Sequence, residues 1–169
     1  VSPEESPANP EEIPEEALEE AELLTETASG TCGNGLSWTL DAAGTLRVSG
    51  AGTLEMGWSA YRSSIKNAVL EEGVEGMSQF SFQGCGNLER ITLPGSLRWI
   101  GGDAFNQCNA LKAVEVPEGV ERIYARAFYA CASLERVSLP STLQEIEASA
   151  FARTPLKAVE LPAGLKTMG

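Results

Sequence analysis

The chain has 169 residues and no histidine. That absence removes the Ser-His-acid and Cys-His pairs on which most protein nucleophiles depend, together with the commonest metal ligand. Long apolar runs are also missing: no stretch approaches the roughly 20 residues of a membrane-spanning helix. No phosphate-cradling Gly-rich loop lies between a strand and a helix. The first 30 residues contain neither Lys nor Arg. With no initiator Met and no basic segment leading into an apolar signal core, the sequence reads as a mature or excised piece.

Charge of one sign is concentrated at one end. Ten of the 24 acidic residues fall in the first 30 positions, from Glu4 to Glu26, which leaves 14 acids against 12 bases in the rest. The head therefore carries -10 of the net charge of -12, and the remainder is nearly neutral at -2. A basic footprint for phosphate backbones is lacking and the head would repel one, so nucleic acid is excluded as a partner. Carboxylate pairs such as Glu71 with Glu72, or Glu145 with Glu147, recur on a solvated repeat surface without an evident cleft, which argues against acid-base catalysis. The reading is of a chain that is not an enzyme and needs no cofactor.

What the sequence does contain is repetition. Leu88–Ala110, Leu111–Ser133 and Leu134–Pro155 share one frame. Leu88, Ile91, Leu93, Leu97, Ile100 and Phe105 return as Leu111, Val114, Val116, Val120, Ile123 and Phe128, then as Leu134, Val137, Leu139, Leu143, Ile146 and Phe151. Ile65–Asn87 is a degenerate earlier copy with Phe82 at the aromatic offset, and Leu156–Gly169 begins a fifth. Repeats of this length that cannot bury their apolar face alone must stack, each covering the next.

Within a unit, Ile91 and Leu93 alternate with Arg90 and Thr92, the period of a short strand with the aliphatic pair inward. Pro94, Pro117, Pro140 and Pro162 follow these strands; with fixed φ and no N–H, each ends a strand and begins a turn. A second extended piece returns Leu97 and Ile100 to the core, and a turn or single helical turn carries Ala104 and Phe105 inward. The three domains expected are an acidic Pro/Glu-rich linker over 1–30, a β cap over 31–64 and repeats over 65–169. The linker's stretch from Glu15 to Ala28 has helix-favouring composition, but an isolated helix of about this length is marginal in water, so a solvated tether is favoured over a docking helix. In the cap, Leu36, Trp38 and Leu40, then Leu46 and Val48, predict a β-hairpin turning at Asp41–Gly44, with Trp38, Trp58 and Tyr61 as its core.

Cys85, Cys108 and Cys131 occupy one repeat position, which Thr154 takes in the fourth copy, while Cys32 stands in the cap. An odd ladder of stacked thiols neither pairs fully nor converges on a tetrahedral metal, so buried free thiols are expected.

The pattern LxxIxLPxxLxxIGxxAFxxC, as it stands from Leu88 to Cys108, resembles the BspA-like subgroup of leucine-rich repeats of bacterial surface and secreted proteins. The stretch GTCGNGLSWTLDAAGTLRVSGAGTL resembles the segment that often precedes such repeats. The resemblance covers roughly 30–169 and implies a leucine-rich repeat solenoid, in the α/β repeat class, with short parallel strands, turns or short helical turns, and an N-terminal β-hairpin cap. It also implies an extracellular or cell-surface location and an adhesive role. One departure is that Ser96, Gly119, Thr142 and Gly164 stand where ordinary leucine-rich repeats carry Asn or Cys after the strand. Backbone bonds within the turns are expected to replace the asparagine ladder.

Function is then expected where the copies differ. The outward strand positions supply Arg90, Thr92, Glu115, Arg136, Ser138 and Glu160 as candidate contacts to a protein partner such as a host or matrix protein. Trp99, Tyr124 and Tyr129 sit at offsets where sister copies carry Arg, Glu, Gly, Asn or Ala, and exposed aromatics and Arg are enriched at binding hot spots. The leading expectation is a non-catalytic protein-binding or adhesion module. The alternatives are a structural or targeting module of a larger cell-surface enzyme, and carbohydrate binding through Trp99 and the tyrosines. An apolar edge at the incomplete last copy is a candidate surface for self-association.

Overall fold

The computed structural model describes residues 26–169, which form a solenoid of stacked rungs behind a β-hairpin. The head over 1–25, including most of the stretch weighed as tether or helix, lies outside the described residues. Glu26–Thr31 is not linker: it is strand β1, antiparallel to β2 (Leu36–Asp41). Pairing with an otherwise open strand edge outweighs the helical bias that composition gives this segment.

Strand β2 turns into β3 (Thr45–Gly50) at Asp41, whose carboxylate accepts from the Thr45 N–H at 2.8 Å. Register places Trp38 opposite Val48 and Leu40 opposite Leu46, and all four are buried. Strand β3 then pairs in parallel with β5 (Asn67–Leu70), while β4 (Gly52–Leu54) pairs in parallel with β6 (Val74–Met77). The end of the cap is thus already in register with the rungs. Trp58 is fully buried with its ring 4.9 Å from Phe82. Tyr61 differs from expectation: it is 40% exposed and covers Trp38 from outside.

Each rung has three segments. First strands β7 (Arg90–Thr92), β9 (Ala113–Glu115) and β11 (Arg136–Ser138) follow β5 along one side. Second strands β8 (Trp99–Ile100), β10 (Arg122–Ile123), β12 (Glu145–Ile146) and β13 (Thr167–Met168) follow β4 and β6 along another, all parallel. The proline corners close with bonds from Leu97, Val120, Leu143 and Leu165 N–H to the carbonyls of Pro94, Pro117, Pro140 and Pro162.

The third side is a column of turns rather than helices. Phe82, Phe105, Phe128 and Phe151 stack there with centroids 5.5, 5.0 and 5.3 Å apart and nearly parallel planes. The backbone N–H of each of the first three donates to the alanine carbonyl of the next rung, at 2.7 to 2.8 Å. Two left-handed residues flank each ring. Phe80, Asp103, Arg126 and Ser149 precede it by two positions, and Gly84, Gln107, Ala130 and Arg153 follow by two. Only one of the eight is glycine, so the column holds side chains in a conformation costing roughly 1–2 kcal/mol each. Three rung-to-rung backbone bonds per turn, such as Ala130 N–H to Ala152 O at 2.9 Å, hold them there. Ala130→Gly is therefore expected to raise stability by about 0.5–1 kcal/mol in urea denaturation. A lowered midpoint would count against stored strain.

The corners correct one expectation. Bonds within the turns are joined by side-chain bridges between rungs: the Ser96 hydroxyl accepts from Gly73 N–H at 3.0 Å and donates to Val74 O at 2.9 Å. Thr142 repeats this with Gly119 and Val120, at 2.9 Å each. A β-branched or small hydroxyl thus does between rungs what an asparagine ladder does elsewhere.

The four cysteines are buried and free. The Cys108 thiol donates to Phe82 O at 3.2 Å and the Cys131 thiol to Phe105 O at 3.1 Å, each reaching back one rung. At the other end, Leu161 and Met168 are exposed at 49% and 63%.

Candidate functional site

The residues that lead into the first strands, and their equivalents in the last copy, carry a second period, twice the repeat. Lys66, Lys112 and Lys157 alternate with Glu89 and Glu135; Arg90 and Arg136 alternate with Asn67, Ala113 and Ala158. The corners obey the same alternation. Glu72 and Glu118 stand before Gly73 and Gly119 in odd rungs, and Ser96 and Thr142 occupy the glycine position in even ones. The geometry shows why the two kinds alternate. The Glu72 carboxylate accepts from Gly95 N–H at 2.7 Å and Ser96 N–H at 3.0 Å, and Glu118 accepts from the Ser141 N–H and hydroxyl at 3.0 and 2.9 Å. Those Ser141 bonds hold the Glu118 carboxyl below the usual carboxylate range. The hydroxyls of the even rungs then reach back to the glycines of the odd ones. An odd rung caps the even rung after it, and that even rung caps the odd rung before it, so the natural unit is a pair.

Against this frame the nine candidate residues separate into three places. Arg90, Thr92, Glu115, Arg136, Ser138 and Glu160 are all exposed on the first-strand side. There Arg90 and Arg136 stand two rungs apart, about 10 Å at ordinary strand spacing, on either side of Ala113. Because alanine fills the intervening position, an open groove of about 720 Å³ runs between the arginines, with Thr92, Glu115 and Ser138 along it. A second groove of about 520 Å³ continues past Arg136 and Ser138 to Ala158 and Glu160.

Trp99 and Tyr124 lie instead on the second-strand side, both half-buried. Tyr129 is on the turn column, between the guanidinium groups of Arg126 and Arg153, which stand 4.6 and 5.4 Å from its ring centre. It is thereby paired within the chain and joins neither of the other groups.

Sequence reasoning missed the two-rung period and the partner of Trp99. The first was there to be found by comparing every second copy, 45 or 46 residues apart, where KAVE at 112–115 returns as KAVE at 157–160 and ER at 89–90 as ER at 135–136. The second is Gly76, opposite Trp99 in the β6–β8 pair. The indole lies over it so closely that a β-carbon there would overlap the ring.

Among the described residues no group of three or more Cys, Asp or Glu is placed to hold a metal ion, and no helix is long and apolar enough to cross a membrane.

The profile of the BspA type leucine rich repeat region matches residues 59–169, in six copies. Among solved structures, a leucine-rich repeat protein of T. pallidum is 27% identical with a TM-score of 0.60; the match covers 79% of this chain and 72% of that one. A leucine-rich repeat protein from Eubacterium ventriosum is 20% identical with a TM-score of 0.59, over 81% of this chain and 45% of that one. No curated protein matches the chain.

Proposed function

The chain belongs to the BspA-type leucine-rich repeat proteins, and from that premise we propose that it is a non-catalytic protein-binding or adhesion module of a bacterial surface or secreted protein. The observation that carries the reading is the first-strand side, where arginines recur every second rung along an open groove and Glu115 and Glu160 alternate with them. A surface of this kind recognises a partner by spaced charge. Arg90 and Arg136 are the anchors, since arginine is enriched in hot spots and its fork takes carboxylates in pairs. Thr92 and Ser138 supply short hydrogen-bonding groups between them. Exposed charges of both signs steer association and discriminate between partners more than they add affinity.

The test is binding of the folded chain to a panel of host matrix proteins, followed by Arg90→Ala and Arg136→Ala against the best binder. Each substitution is expected to weaken binding about tenfold, and raised salt to slow association. Unchanged affinity in the double variant, with an unchanged melting temperature, would remove the first-strand side from consideration.

A further inference from the structure

A second site lies on the other side of the solenoid and is built from different chemistry. Trp99 is the one tryptophan of three that solvent reaches, since Trp38 is 4% exposed and Trp58 is fully buried. Its indole does not stand out from the sheet; it lies over Gly76 on the neighbouring strand, leaving its other face outward. Gly76 sits within strand β6 and makes no turn. Sister copies carry Trp99, Arg122, Glu145 and Thr167 at the same offset, so what glycine achieves there is a seat for the ring.

Beside the indole is a cleft of about 390 Å³, with Tyr124 on its far wall, Gly101 and Gly102 as its floor, and Gln79, Asp103 and Glu147 around it. That is near the lower end of the size range of small-molecule sites. Of the two carboxylates at the cleft, Asp103 is paired with a cation of its own chain and Glu147 meets a backbone donor. Asp103 Oδ1 accepts from Asn106 Nδ2 at 2.7 Å and faces Arg126 Nε at 3.3 Å. One Glu147 oxygen accepts from Ala125 N–H at 3.1 Å. Arg122 is held by Glu145 and lies 5.3 Å from the Tyr124 ring centre.

What remains for a ligand is an apolar plate, a phenol, a primary amide and the spare lone pairs of two carboxylates. A cation would have to compete with Arg126 for Asp103, and an anion would face acceptors. A neutral ring with one apolar C–H face and hydroxyls at its edge meets every group. We propose that Trp99 and Tyr124, over the floor of Gly101 and Gly102, form a binding site for a neutral saccharide. The ligand's ring stacks on the indole, and its hydroxyls donate to Asp103 and Glu147 and exchange hydrogen bonds with Gln79 and the Tyr124 hydroxyl. This site is independent of the arginine groove, so either can fail without the other.

Trp99 itself reports on the site, because Trp38 and Trp58 are shielded and provide a constant background. The chain is titrated with cellohexaose, xylohexaose, mannohexaose and chitohexaose while emission and acrylamide quenching are followed. A saturable emission change and protection from quenching are expected with at least one of them. By calorimetry, Trp99→Ala should weaken that binding by about tenfold or more. Gly76→Val, which keeps the indole but removes its seat, should do the same. Gln79→Ala, at an exposed position, gives a smaller loss with the fold untouched and serves if Gly76→Val does not fold. Arg90→Ala should leave saccharide affinity unchanged. The proposal is overturned by four silent titrations, by equal affinity in Trp99→Ala, or by saturation with tetramethylammonium or a lysine-rich peptide in place of every sugar.

Discussion

Phe105→Ala is expected to lower the stability of the chain by about 3–5 kcal/mol, the usual range for truncating a buried aromatic. The upper part of that range is favoured by how little the site can collapse. Phe105 is fully buried between Phe82 and Phe128, 5.5 and 5.0 Å away with planes within 10°. Its backbone donates to Ala127 O at 2.7 Å and its carbonyl accepts from the Cys131 thiol at 3.1 Å, so the rungs above and below keep their separation when the ring is removed. The cavity then borders two rung interfaces at once, and in a solenoid those interfaces supply most of each unit's stability. Phe80→Ala provides the contrast. Phe80 is 41% exposed, and its truncation should fall within about 0.5 kcal/mol of no change. Urea denaturation followed by the emission of Trp38 and Trp58 measures both. A loss below about 1 kcal/mol for Phe105→Ala would mean that the ring column does not hold the rungs together.

Much of the stack was legible because burial constrains residue type. Leu88, Leu97, Ile100 and Phe105 return at one offset since each faces the same point of the core, and substitution there is confined to a few apolar shapes. Other features were illegible for identifiable reasons. The left-handed positions at Asp103, Gln107, Arg126, Ala130, Ser149 and Arg153 do not carry glycine, the residue by which such backbone is ordinarily recognised; the bonds to the next rung impose it instead. Glu26–Thr31 has the composition of the head and acquires its strand only by pairing with β2. Tyr61 resembles Trp38 and Trp58 in type, but it ends a short 3₁₀ turn over Ser59–Tyr61 in which no residue is buried.

The candidate sites divide along the same line. Outward strand residues could be named from alternation alone, and Arg90, Thr92, Glu115, Arg136, Ser138 and Glu160 do share a face. Alternation could not say that Trp99 and Tyr124 belong to a different side, or that Tyr129 is held between two arginines of its own chain. Nor does a 23-residue frame reveal Glu72 capping the corner that contains Ser96 while the Ser96 hydroxyl bridges back to Gly73. Each half of that exchange lies in a different copy, and it becomes visible only when the copies are compared in pairs.

Alkaline solution is expected to weaken the fold steeply, because its thiols are buried, and the one cation that acts on any of them, Arg62 on Cys85, offsets only part of the burial. Burial pushes Cys85 and Cys131 up to about 12 and Cys32 up to about 11 from an ordinary value of 9.0. Cys108 is held well above that value, by burial first and then by its neighbours Cys131 and Cys85. Below the ordinary value, folded and unfolded chains both keep these protons, and the thiols give stability no pH dependence. Between about 9 and 12 the unfolded chain releases them and the folded chain does not, so the unfolded state gains and stability falls. Each thiol contributes a slope of up to about 1.4 kcal/mol per pH unit. Urea midpoints between pH 7.5 and 10.5 should therefore drop by an amount that grows with every thiol. Replacing Cys85, Cys108 and Cys131 with alanine should remove most of the slope, whatever it does to stability at pH 7.5. That comparison separates the ladder from every other ionisable group of the chain, since the variant retains all of them. An equally steep fall in the variant would place the alkaline weakness elsewhere. A flat profile in the parent chain would mean that the thiols exchange protons freely, and hence that the rungs open far more readily than their packing implies.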